Sequence, residues 1–220
     1  MKNNNKIFLG EFIASCFLVM VIVGSGIMAE NLTNDNAVRL LANTIATGAG
    51  LFVLITAFAN ISGAHLNPFV SLSMYLTKRI KGKELLTYIP AQILGCLLGV
   101  MLANFFFEHD LIELSTKNRD GFHIFSSEIV ATFGLILTII IISNKDKDKI
   151  AIAVALYITA GYWFTSSTSF ANPAVTVSRI FTDSFTGIYP YHAFYFIFAQ
   201  IIGAFIATFF AKLFISSKNI

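Results

Sequence analysis

The sequence predicts an all-α membrane protein of six transmembrane helices plus two re-entrant half-helices, arranged as an inverted three-plus-three repeat. Three observations carry this. The chain is 56% hydrophobic, with 23 Phe and only 12% charged residues, where a soluble domain carries roughly a quarter charged. Apolar runs recur six times, most near the roughly 20 residues a helix needs to cross the hydrocarbon core. The second half of the chain also repeats the motif order of the first.

In order, the apolar runs lie at 7–29, 37–59, 84–107, 123–143, 150–165 and 190–215. The first follows "MKNNNK" but is too long for a signal peptide, contains Glu11 and lacks a small-residue cleavage site, so it reads as a retained helix. Lys2, Lys6, Lys78, Arg79, Lys81, Lys83, Lys145, Lys147, Lys149, Lys212 and Lys218 fall on one side of a six-span arrangement; Arg39, Lys117, Arg119 and Arg179 fall on the other. The positive-inside rule then places both termini in the cytoplasm, and the plasma (inner) membrane is the expected location. The net charge of +3 reports this topology, and no nucleic-acid patch is visible. "KDKDK" at 145–149 reads as a solvated turn. Cys16 and Cys96 stand in separate apolar runs as packing residues; no metal-ligand spacing is visible, and no cofactor is expected.

The repeat is explicit. "GEFIASCFLVMVIVGSG" (10–26) is answered by "SEIVATFGLILTIII" (127–141), "HLNPFVSLS" by "FANPAVTVS", and "PAQILGCLLG" (90–99) by "FAQIIGAFIA" (198–207). Each half, about 7–107 and 123–215, holds three spans, so the second is upside down relative to the first, in one transmembrane domain over 1–220. Such an arrangement places a site at the midplane. Each Asn-Pro stretch lies between spans and is too polar and short to cross alone. Asn is a strong N-cap and Pro suits the first helical turn, so each reads as the start of a half-helix. Irregular backbone at membrane depth survives only inside protein or along a water-filled cavity.

With six spans, two Glu-headed inverted repeats, "SGAHLNP" and "NPA", nearly the whole chain resembles the aquaporin (major intrinsic protein) family. The resemblance implies a homotetramer with one pore per chain, passing water or small neutral solutes across the bilayer. It makes Asn67, Pro68, Phe69 and Asn172, Pro173, Ala174 the pore motifs, the two Asn turning amide N–H groups toward the passing oxygen; a pure capping role is the alternative. It places His65 beside the pore on the cytoplasmic side, where packing is its alternative role. Glu11 and Glu128 become acceptors that hold the re-entrant loops. An intramembrane carboxylate is otherwise a coupling-ion site by default, which keeps an ion-coupled transporter as the second reading. Gln92 and Gln200 read as packing residues beside Gly95 and Gly203.

Departures from the family pattern shape the expected selectivity. Phe69 replaces a small Ala, and the loop before it is read as two residues short. The residue after the second motif, usually the filter Arg, is Val175. Counting from Asn172 adds Ser169 and Ala160 to the outer filter; the fourth position falls on Ala49 if the loop is short, or on Thr47 if it is not, and Ala49 is preferred. Ala49, Ala160, Ser169 and Val175 make a wide ring. The resemblance then points to an aquaglyceroporin-like member lacking the filter arginine, with glycerol-like polyols, arsenite and water as solutes. Arg179, one turn beyond Val175, either guards the outer vestibule or pairs with Asp183.

Overall fold

The computed structural model describes residues 3–215; Lys2 and Lys218, used above for orientation, lie outside them. Eight α-helices form: α1 (Asn3–Leu32), α2 (Asn36–Ser62), α3 (Pro68–Leu76), α4 (Gly82–Phe106), α5 (Phe122–Lys145), α6 (Ile150–Phe164), α7 (Pro173–Ser178) and α8 (Pro190–Phe214). Short 3-10 turns cover Lys147–Lys149 and Arg179–Phe181. Among these residues, α1, α2, α4, α5 and α8 are long and apolar enough to cross a membrane.

The fifth expected span is shorter than the rest. With 15 residues, α6 rises about 22 Å, less than the roughly 30 Å hydrocarbon core. It ends where Thr165 turns its hydroxyl back to the Gly161 carbonyl (2.6 Å), and the chain runs inward to α7.

The halves are built alike. α1 packs on α2 and α4, as α5 packs on α6 and α8. α2 against α6 joins them, and each half-helix crosses over: α3 touches α8, and α7 touches α4. One apolar core runs through both halves, including Val19, Val100, Ile136 and Ile140. Glycines set the closest approaches. A Cβ on Gly95 or Gly99 of α4 would run into the carbonyls of Phe12 or Cys16 of α1, and one on Gly203 of α8 into Ile129 of α5. Small residues permit such backbone contact between membrane helices.

Candidate functional site

The two half-helices meet tip to tip. Asn67 caps α3, its Oδ1 accepting from Phe69 N (2.9 Å), and Asn172 caps α7, accepting from Ala174 N (3.1 Å) and Val175 N (3.3 Å). Pro68 and Pro173 follow at the first helical positions. The caps are also cross-linked: Asn67 Nδ2 donates to Ala171 O and Asn172 Nδ2 to Leu66 O, both at 2.7 Å. A carboxamide nitrogen carries two N–H groups, so each Asn keeps one beyond its cross-bond, and both residues line the central cavity.

The loops before the caps are strained in matching ways. Ala64 and Leu66 (φ 48° and 51°) correspond to Ser169 and Ala171 (φ 50° and 46°). Left-handed backbone costs a non-glycine residue roughly 1–2 kcal/mol. The buried carboxylates offset this. Glu11 accepts at Oε1 from Ser62 Oγ (2.7 Å) and His65 N (3.0 Å), and at Oε2 from Leu66 N and Gln92 Nε2 (both 2.7 Å). Glu128 accepts at Oε1 from Ala171 N (2.5 Å) and Gln200 Nε2 (2.8 Å), while its Oε2 has no partner. Neither carboxylate lines the cavity. The two Gln are more than the packing residues expected from sequence. Gln92 bridges Glu11 to Ser71 Oγ (3.0 Å) and Gln200 bridges Glu128 to Thr176 Oγ1 (2.9 Å), tying each carboxylate to its half-helix.

The central cavity, about 130 Å³, is two-faced. One wall is apolar, with Leu18, Ile22, Leu51, Leu135 and Ile139; the other carries His65, Asn67, Ser169 and Asn172. His65 is placed on it by Ser71 Oγ at 3.0 Å from Nδ1 and by the Tyr88 ring stacked 4.2 Å away. Phe69 is not among the lining residues and packs half-buried on the core, so its bulk is accommodated away from the cavity.

Two of the four filter positions need correction. Ala49 and Ala160 are exposed on the outer faces of α2 and α6 and do not reach the cavity; Thr47 and Tyr162 do, joined by a 3.2 Å hydrogen bond. The reason is helical phase: residues two apart lie about 200° apart around a helix. The buried stripe of α2 runs through Asn43, Thr44, Thr47 and Leu51, and that of α6 through Val154, Ala155, Ile158 and Tyr162. Ser169 and Val175 line the cavity.

Arg179 and Tyr162 belong both to this cavity and to a second one of about 270 Å³ on the side opposite the α1 start and the α8 end. They form the neck between the two. Arg179 is 2% exposed; its Nε donates to the Thr186 carbonyl and its guanidinium lies 3.5 Å from the Phe170 ring centre. The pairing with Asp183 is not formed, because Asp183 accepts from Thr116 N (2.8 Å) and Oγ1 (3.0 Å). Sequence reasoning missed Arg119, whose Nε donates to Gly187 O (2.8 Å) and Nη2 to Phe185 O (3.2 Å), with its guanidinium 5.0 Å from Phe170. No local motif marks it, since only the fold brings the 117–119 segment over the neck. Burial pushes Arg119 down to about 10, so it stays charged at neutral pH. Burial, and then Arg119, holds Lys117 below the usual lysine range.

A family profile described as Major intrinsic protein matches residues 1–150 and 142–219. Aquaglyceroporin AqpS of Rhizobium meliloti (strain 1021) is 45% identical over 196 residues, covering 89% of this chain and 84% of that protein. A probable TIP-type aquaporin of Medicago truncatula is 35% identical over 138 residues, covering 61% of this chain and 55% of that protein. The X-ray structure of the aquaglyceroporin from Plasmodium falciparum superposes with a TM-score of 0.73 over 98% of this chain and 97% of that one; at 20% identity this shows a common fold. With its cross-capped half-helices, its carboxylate-held loops and a profile match over nearly its whole length, the chain belongs to the major intrinsic protein family, a family of membrane channels and not of enzymes.

Proposed function

We propose that the protein is a passive channel for small neutral solutes, namely glycerol-like polyols, the uncharged trihydroxide of arsenite or related metalloid hydroxides, and water, and that it excludes protons and ions. The observation that carries this is the two-faced cavity: an apolar wall for a carbon skeleton faces two Asn amides with donors to offer its oxygens. The N-termini of α3 and α7 point their positive dipole ends at one another there, which opposes cations and protons. The 45% identity to a protein named an aquaglyceroporin supports the same reading. The selective region is Thr47, Tyr162, Ser169 and Val175 with Arg179 at the neck. We place both termini in the cytoplasm of a plasma-membrane homotetramer, one pore per chain. An ion-coupled transporter is the weaker reading, because Glu11 and Glu128 face their loops and not the cavity.

Stopped-flow light scattering of reconstituted vesicles under glycerol, urea and sucrose gradients tests this. Wild type passes glycerol without saturation and without response to a proton gradient. Val175→Arg adds bulk and a second guanidinium one turn from Arg179, and cuts glycerol flux far more than water flux. A wild type that passes water yet excludes glycerol as tightly as Val175→Arg defeats the polyol reading; accumulation driven by a proton gradient makes it a transporter.

A further inference from the structure

The second cavity, outside the neck, has a charge pattern that neutral-solute passage does not require. Lys117, Arg119 and Arg179 line it together with Tyr162, Thr168 and Phe185. The only ion pairs among the described residues are His109–Glu113 and Lys149–Asp146, so none of the three cations is paired directly with a carboxylate. The acidic groups that act on these cations are engaged elsewhere: Glu30 accepts from Phe185 N (2.8 Å), Asp183 from Thr116, and Glu128 from Ala171 N and Gln200 Nε2. None of them lines the cavity.

Arg179 is the sharpest feature. Its Nε is bound to Thr186 O, but Nη1 and Nη2 form no hydrogen bond within the described residues. A guanidinium has five N–H donors in a planar fork, which leaves four on a side chain that is 2% exposed and faces the cavity. The Phe170 ring holds this guanidinium and that of Arg119 in place at 3.5 and 5.0 Å. Two like charges held beside one ring, buried and in contact with no carboxylate, are costly unless a ligand compensates them.

We propose that this vestibule is a binding site for a small oxyanion with two adjacent oxygens, seated on the Nη edge of Arg179 and flanked by Arg119 and Lys117, and that its occupancy closes the neck to neutral solutes from that side. A guanidinium edge matches two oxygens of one anion in parallel bonds. The bound anion then stands over Tyr162 and Arg179, the residues every solute must pass.

Inorganic phosphate is the probe, titrated into the purified full-length protein by calorimetry at an ionic strength held constant with chloride. Saturable binding is expected, weakened about tenfold in Arg179→Gln, as loss of a charge-assisted pair implies. Arg119→Gln and Lys117→Gln, whose side chains stand in the connecting loop rather than at the half-helix, weaken it several-fold and carry the test should Arg179→Gln fail to fold. Glycerol flux is first measured in vesicles without phosphate, so a failure of the channel reading is seen separately from a failure of binding. Phosphate on the vestibule side then slows wild-type flux and slows Lys117→Gln less. Absence of saturable binding above the chloride control, or binding indifferent to all three substitutions, overturns the site; binding without any loss of flux overturns the closure.

Discussion

Replacing each intramembrane glutamate by glutamine separates two carboxylates that look equivalent in sequence. In Glu11 both oxygens are engaged, each by two donors. An amide nitrogen at either place faces a backbone N–H, and the mildest arrangement turns it toward Ser62, whose hydroxyl can reverse, leaving His65 N without an acceptor. An orphaned buried donor costs about 1–3 kcal/mol, and loss of charge assistance in the two remaining bonds about 1 each, for about 4 kcal/mol in all. In Glu128 both donors meet Oε1 and Oε2 is free. The amide nitrogen of Glu128→Gln takes the place of Oε2, where no formed hydrogen bond is broken although Ser167 and Phe170 N stand near this carboxylate, so loss of charge assistance dominates, about 2 kcal/mol. The difference of about 2 kcal/mol corresponds to roughly 4–8 °C in Tm for a chain of this length. Thermal unfolding of the two detergent-solubilised variants, followed at one scan rate, measures it. Equal losses, or a larger loss in Glu128→Gln, would refute the reasoning that unequal occupancy of the oxygens sets the cost.

Tyr162→Ala removes the bulkiest side chain at the neck, so flux of a longer polyol such as xylitol rises relative to glycerol in the same light-scattering assay; an unchanged ratio means the narrow point lies elsewhere. Gly95→Val drives a branched side chain into the Phe12 carbonyl and lowers stability by about 1–3 kcal/mol, the usual range for overpacking; thermal stability equal to wild type would contradict the close contact of α1 with α4.

What could be read in the sequence was whatever a repeat or a cap enforces locally. The half-helices start at Asn67 and Asn172 because an Asn-Pro pair does there what it does at any helix start, cap and then fix φ. The Glu positions were legible because the repeat placed them twice. The filter was not, since it depends on which side of α2 and α6 faces inward, and a count back from Asn172 across an irregular loop carries an error of two residues. Two residues turn Tyr162 into Ala160. The polar run Asn43, Thr44, Thr47 on one stripe of α2 held the better signal, because polar groups in a span face protein and not lipid. Arg119 and the bridging roles of Gln92 and Gln200 were out of reach, because each depends on at least one partner 49 or more residues away.

The displaced arginine bears on how the proposed channel could keep out cations while having Val175 after its second motif. Arg179 lies four residues along from Val175, the last of those steps entering a 3-10 turn, so its charge is shifted by about one turn, roughly 5–6 Å, toward the vestibule. A monovalent cation about 4 Å from that guanidinium meets about 4 kcal/mol of repulsion at an effective dielectric of 20, a factor of roughly a thousand in occupancy. Arg119, over the same Phe170 ring, adds to this. The barrier therefore stands even though the ring around Val175 carries no charge of its own, and the inner cavity remains free to present an apolar wall and two amides. In the proposed channel, charge selection and solute accommodation, which a single arginine after the motif would combine at one level, are divided between the neck and the cavity beneath it.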